Sequence, residues 1–599
     1  MKFQRKTCSV LVSAAVALLA AGTQSAHAFR FEAGDIQGAL DSTFTTGLGV
    51  RAQDPSCSLV GDPTTSCGAR ANTAQWSAGD NGNLNYRKGD FFTAYLKGTH
   101  ELLLKMPDGW KFMARGTWMH DFKADDTERT ELSNSAKRQI VDNARLLDLW
   151  VSKEFSIGGQ DARVRLGNQV INWGESLFAI GGINATNALD FQRLLVPGTQ
   201  LKEAVLPAPM LSIASSLGKG LNFEAYYQFR WNKTLYAPVG GYWSVADYYG
   251  EGRESVSFNG SNFNVTGRDQ ASLLGRRSYS SAQGDAAITA NGDFPATVGR
   301  DIKPGNSGQY GVSMHWKPEG TSLDLGAYYL QYHDKTPVLN LVNGSTYRWE
   351  FLKKRELYGV STNFPLGNWA IGGELSYRPR DAVSLSACYN AGGALDANTN
   401  LAAVRNCPQY EENEKYQMHL TGLLQLTPGD HGTVLDLFGA DTGFISIEGV
   451  VAQYPGVKAN KRVHRNIDGV LVDQVPAAGY FIFLDRSNPD APIAKGGGTE
   501  TSWGYIVDAN LNYDSSVIPG WQVIPGVTFV HAVQGDTPNF SVPYLEDAKA
   551  ANFYVLLTQN AGNWQAGLNF ATYFGGKSDP ARQYYKDRDF FGAFLSRNF

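Results

Sequence analysis

The chain of 599 residues carries 53 Lys and Arg against 57 Asp and Glu, a formal net charge of −4, and is rich in Gly (65) and aromatic residues (12%) but poor in Met (7) and His (9). A slightly acidic balance offers no basic surface for nucleic acid, and this composition leans toward one large Gly- and aromatic-rich β domain rather than several helical ones. Beyond the N-terminus no apolar run reaches the ~18 to 20 residues that a spanning helix needs, which argues against residence in an inner membrane.

Residues 1–28 read as an export signal: Lys2, Arg5 and Lys6 precede the apolar run CSVLVSAAVALLAAG, and Ala26-His27-Ala28 offers small residues at both cleavage-determining positions. Cys8 opens that run instead of closing it, so it is no lipid anchor, and the expected mature domain is 29–599. The first strand expected is IQGALDSTFTTGLGVR, with Ile36, Leu40, Phe44, Leu48 and Val50 on one parity and Gln37, Asp41, Thr43, Thr45 and Arg51 on the other. Period two over so long a run exceeds the five or six residues of an ordinary strand and suits a wall between water and lipid.

The alternation returns at 91–106 and, after Pro-Asp-Gly, in Trp110, Phe112, Ala114 and Trp118 opposite Lys111, Arg115 and Thr117. It continues near 145–157, 161–171, 209–217, 220–231, 307–317, 321–332, 355–364, 367–380, 414–427, 443–454, 501–514, 521–534, 550–560 and 563–575. The last strand is DRDFFGAFLSRNF, with Phe591, Ala593, Leu595, Arg597 and Phe599 on one face. Short turns alternate with long loops at roughly 52–90, 122–144, 172–208, 232–306, 333–354, 381–413 and 455–500. Strands cross a bilayer only as closed barrels, and alternating short and long connections are their periplasmic and extracellular sides. The expectation is an all-β fold: a transmembrane antiparallel β-barrel of about 18 strands, with 16 as the alternative, in the outer membrane of a Gram-negative bacterium.

Four cysteines follow the signal as two close pairs, Cys57 with Cys67 and Cys388 with Cys407, each in a polar loop on the long side, where a disulfide fits an oxidising compartment. A zinc site would want His or further Cys nearby, so no metal is expected, and no cofactor fingerprint is present. None of the histidines sits in a G-x-S-x-G or H-E-x-x-H context, so the chain is not read as an enzyme.

The stretch 165–211 differs from the other loops, mixing apolar residues with Trp173, Glu175, Asp190, Arg193, Lys202 and Glu203. So many apolar side chains need a packed surface, and in a barrel this wide the lumen supplies one. The loop 172–208 is therefore expected to fold inward, with Trp173, Glu175, Arg193, Lys202 and Glu203 at the constriction; a lid over the outer loops is the plainer alternative. Inward-parity charges mark a substrate path: Lys111 and Arg115 on the third strand, Arg163 and Arg165 on the fifth, Glu224 and Arg230 on the seventh, Glu374 and Arg378 on the eleventh. For each of these the plain reading is a solvated wall.

The segments GNQVINWGES, GGIN, PGTQLKEAVLPAPML, the opening FRFEAGDIQGALDSTFTTGLGVR and the later GGYWSVADYYG resemble the proteobacterial outer-membrane family catalogued as domain of unknown function thirteen-oh-two. The resemblance implies an outer-membrane barrel linked with hydrophobic compounds, with a periplasmic companion and an inner-membrane transporter as partners. Three functions follow as expectations. The first is a channel or transporter for small hydrophobic or amphipathic molecules; the second is the barrel of an export or lipid-shuttling system; the third, an outer-membrane hydrolase, ranks last. Contacts are expected with membrane lipids and, through the C-terminal strand, with barrel-assembly machinery.

Overall fold

The computed structural model describes residues 29–60, 65–71, 81–253, 256–257, 295–342, 346–386, 388–392, 406–459, 461–477, 497–539, 544–559, 562–576 and 582–599. The expected signal, 1–28, lies outside them.

Eighteen antiparallel strands close into a barrel: β1 Ile36–Arg51, β2 Phe91–Lys105, β3 Trp110–Asp121, β4 Asp142–Ile157, β5 Gln160–Gln169, β6 Ala208–Gly218, β7 Leu221–Gln228, β8 Gln309–Trp316, β9 Asp324–Tyr332, β10 Arg355–Leu366, β11 Trp369–Ser384, β12 Tyr410–Leu426, β13 Thr442–Gln453, β14 Thr501–Asp514, β15 Trp521–Gln534, β16 Ala548–Gln559, β17 Trp564–Gly575 and β18 Phe590–Asn598. Each strand pairs with its sequence neighbours, and β18 closes on β1 in a register running from Thr43 opposite Asn598 to Arg51 opposite Phe590. Phe599 extends the seam, its N–H donating to Ser42 O at 2.8 Å and its ring packing edge-on against Phe44. Below that point β1 would present a bare edge. A short N-terminal strand, Phe29–Ala33, turns back to cover it, pairing with Ile36–Leu40.

The period-two pattern separates lipid from lumen. On the outer parity Val312, Met314, Val360, Leu375, Met418, Leu420 and Leu568 are exposed, while Gln309, Ser313, Ser376, Gln417 and Glu448 on the inner parity are buried. Tyr310, Tyr329, Tyr358, Tyr377 and Tyr416 form a continuous outer ladder across β8 to β12, with neighbouring ring centroids 4.8 to 6.3 Å apart. Exposed Trp110 and Trp316 lie near the opposite rim. Such girdles flank the apolar band of an outer-membrane barrel and place this one in that membrane. Arg597, on the outer parity close to the rim, is sheltered between the Trp564 and Phe599 rings, 4.9 and 4.6 Å from their centroids.

The loops carry more structure than period two reveals. Both disulfides are present, Cys57–Cys67 and Cys388–Cys407, each on the long-loop side. Short strands there add small sheets, one of which joins Pro295–Val298, Thr346–Glu350, Val338–Val342 and Asn406–Pro408. On the short-turn side, the connection from β12 to β13 holds a helix, Pro428–Phe438, begun by proline and ended by Gly439 at φ 63°. Its Leu435 packs on Leu424 and Leu426, outer-parity residues of β12, with Trp369, Ile445 and Leu511 alongside. The helix therefore lies on the outside of the wall, and Val434, Leu437 and Phe438 are exposed.

Candidate functional site: a loop folded into the lumen

The connection from β5 to β6 enters the barrel and divides into two arms. An irregular segment inside a barrel must find partners for its backbone N–H groups, because water cannot reach them all. In the first arm two carboxylates from the wall supply them. Glu374 of β11 accepts from Glu175 N at 2.6 Å and Ile183 N at 2.9 Å. Glu448 of β13 accepts from Phe178 N at 2.6 Å and Ala179 N at 2.9 Å, and its other oxygen meets His419 Nδ1 at 2.7 Å. Gln417 donates to Ile180 O at 2.9 Å, Arg378 to Gly182 O at 2.8 Å, and Asn363 to the Glu175 carboxylate at 2.8 Å.

The glycines of the motif now have a physical reason. A Cβ on Gly174 would stand 2.3 Å from Glu374 Oε2, and one on Gly182 would stand 1.9 Å from Oε1. Trp173 fixes the start of the arm: its indole N–H donates to Glu224 Oε2 at 2.8 Å and its ring lies against Tyr226 and Tyr328, over the bare Gly311.

The second arm leans on the opposite wall. Asp190 caps the short helix Phe191–Leu194, accepting from Arg193 N at 3.0 Å, and pairs with Arg145 of β4. Arg193 is buried beside Asn143, at 3.3 Å. Lys97 of β2, also buried, donates to Gly198 O at 2.9 Å and pairs with Glu203 at 2.7 Å, while Tyr95 OH donates to Pro197 O. Lys202 is exposed and reaches Glu101 at 3.0 Å, extending a charge chain through Arg115 to Asp148, each link 2.7 Å.

Of the residues singled out from sequence, Trp173, Arg193 and Glu203 are buried anchors of the loop, Glu175 is half-buried, and Lys202 faces open lumen. Glu224 touches the loop directly and Arg115 does so through Glu101. Arg165 stacks over the Trp150 ring at 4.1 Å, Arg163 is half-buried on the same face of β5, and Arg230 is exposed beyond β7. Among the described residues none of these last three bonds the loop. Sequence reasoning missed Glu448, His419, Gln417, Lys97 and Glu101. The run Lys415, Gln417, His419 on one parity of β12 was the available signal, polar groups at period two on a strand whose other face is apolar.

Four apolar side chains of the loop stay open to the lumen: Leu177 at 38% exposure, Phe178 at 44%, Leu194 at 41% and Leu201 at 63%. Leu177 and Phe178 closely follow Glu175 and Leu201 adjoins Lys202 in the chain, so the loop presents both apolar and charged surface.

The closed wall, aromatic girdles and inward loop define an outer-membrane β-barrel narrowed from within. The chain belongs to the family described as protein of unknown function (DUF1302), whose match spans residues 9–599. No curated protein matches it. Among solved structures, the chain is similar to OccAB1 of Acinetobacter baumannii, with 12% identity and a TM-score of 0.40 over 96% of this chain and 99% of that one. It is also similar to OpdK of Pseudomonas aeruginosa, solved with vanillate, with 10% identity and a TM-score of 0.35 over 94% and 98%. Likeness at that level speaks to neither substrate nor mechanism.

Proposed function

We propose that this protein is an outer-membrane channel for small hydrophobic or amphipathic molecules, with the loop 170–207 as its selective constriction. The observation that carries the reading is the exposure of Leu177, Phe178, Leu194 and Leu201 on the loop that lies inside the barrel. Apolar surface left in water costs about 25 cal/mol per Å², so it marks a place where an apolar solute can be received. Glu175, Lys202 and the Glu101–Arg115–Asp148 chain would face the polar end of the same molecule.

Shortening the loop between Gly181 and Pro197 tests this. The shortened barrel, checked for folding by heat modifiability, is expected to show a higher single-channel conductance in planar bilayers and weaker discrimination between amphipathic solutes and sugars. Parent-like conductance and discrimination would mean that the loop is no constriction. A periplasmic companion and an inner-membrane transporter belong to the same proposal, and copurification from crosslinked cell envelopes checks for them.

A further inference from the structure

At the outer mouth, between the first arm of the inward loop and the segment that follows β9, lies a cavity of about 120 Å³. Its apolar side is formed by Ile180, Leu189, Phe191, Pro337 and Val338, and its charged side includes Lys335, Arg378, Asp334 and Asp381. The carboxylates are already engaged. Asp334 pairs with Arg355 at 3.3 Å, Arg355 also holds Glu412 at 2.8 Å, and Asp381 pairs with Lys415 at 3.6 Å while accepting from Tyr454 OH at 2.8 Å and Asn539 at 3.0 Å.

The two remaining cations hydrogen-bond only to neutral groups, with Asp334 near Lys335 and Asp381 near Arg378 but not in contact. Lys335, 7% exposed, donates to Gln309 Oε1 at 3.3 Å and Asn232 Oδ1 at 3.4 Å. Arg378, 3% exposed, donates to Tyr332 OH at 2.9 Å, Gly182 O at 2.8 Å and Ser376 Oγ at 3.5 Å. Among the described residues neither has a carboxylate within ion-pair distance. A buried cation is ordinarily paired, because an unpaired one loses its hydration without an opposite charge to replace it. Burial pushes Lys335 down to about 7 against the opposing pull of Asp334, the direction that a carboxylate bound at its ammonium would reverse, and burial pushes the Asp334 carboxyl up to about 7.

We infer that this cavity is a binding site for the carboxylate of a small amphiphile, with Lys335 and Arg378 receiving the head group and Ile180, Leu189, Phe191 and Val338 receiving the apolar body. The inference rests on the channel reading above and narrows its substrate class to organic monocarboxylates. Arg378 also holds the loop through Gly182, so the head group would sit on the residue that ties the constriction to β11.

The test is equilibrium dialysis of radiolabelled hexanoate against the full-length protein in nanodiscs. Saturable binding is expected, weakened at least tenfold by Lys335→Met, recovered by Lys335→Arg, and competed by unlabelled hexanoate far better than by hexanamide. Absence of saturable binding, equal binding to the folded Lys335→Met variant, or equal competition by hexanamide would each overturn the site. Single-channel conductance, measured separately, keeps the two readings apart. A barrel that conducts and discriminates through its loop without binding hexanoate leaves the channel standing and removes this site.

Discussion

Replacing Glu374 by alanine should release the first arm of the inward loop from the wall. The carboxylate is buried and accepts two backbone N–H groups, from Glu175 at 2.6 Å and Ile183 at 2.9 Å. A hydrogen bond to a charged group contributes about 1.5–3 kcal/mol, so the pair holds the arm by about 3–6 kcal/mol. At about 1.4 kcal/mol per decade, exchange of the 172–187 amides with deuterium should accelerate by roughly 10² to 10⁴-fold where local opening governs it. Hydrogen exchange by mass spectrometry on the detergent-solubilised barrel reads this directly, with the strand peptides as internal control. Gly182→Ala attacks the same contact from the loop side, since its Cβ would stand 1.9 Å from the carboxylate oxygen and 2.9 Å from His419 Nε2. The two lesions should be non-additive: once Glu374 is alanine most of the clash is gone, and the second substitution should add little. Unchanged exchange over 172–187 in a folded Glu374→Ala barrel would refute the tether.

Lys97→Met leaves Glu203 buried without its cation and should loosen the second arm by about 3–5 kcal/mol, with recovery when Glu203→Gln is added; exchange over 190–204 measures both. Removing the Cys388–Cys407 crosslink by paired serine substitutions should cost the outer cap about 3 kcal/mol in the chain-entropy account, seen as faster protease cleavage on intact cells with barrel heat modifiability unchanged. Phe599→Ala deletes the ring that packs on Phe44 and shelters Arg597, a contact of about 0.5–1.5 kcal/mol, and should lower the yield of heat-modifiable barrel most at high expression.

The wall was legible in the sequence because each strand separates two solvents, and period two follows from that separation alone. Leu96, Leu102 and Leu104 face out while Lys97 and Thr99 face in, whatever the distant residues are. The loop's entry into the lumen was legible too, from apolar residues that a solvated loop would not carry. Its attachments were not. Glu374 meets Glu175 across 199 residues of chain and Glu448 meets Phe178 across 270, and nothing local to either carboxylate distinguishes a tether from a solvated pore charge. The helix Pro428–Phe438 escaped notice because PGDHG reads as a turn and its few apolar residues lack a long repeat. Only the outer-parity Leu424 and Leu426 give it a surface, and the strand pattern assigns those residues to lipid.

That helix and the inward loop grip the same strands from opposite sides. Along β11 to β13 the loop is fastened from within to Glu374 and to Glu448, which His419 braces, and nearer the periplasmic rim Leu435 is seated from outside on Leu424 and Leu426. Strands held from within at one height and from outside at another resist bending in either direction, so this arc is the braced side of the cylinder. A second barrel approaching it near the periplasmic rim would be held off by a helix ~10 Å thick.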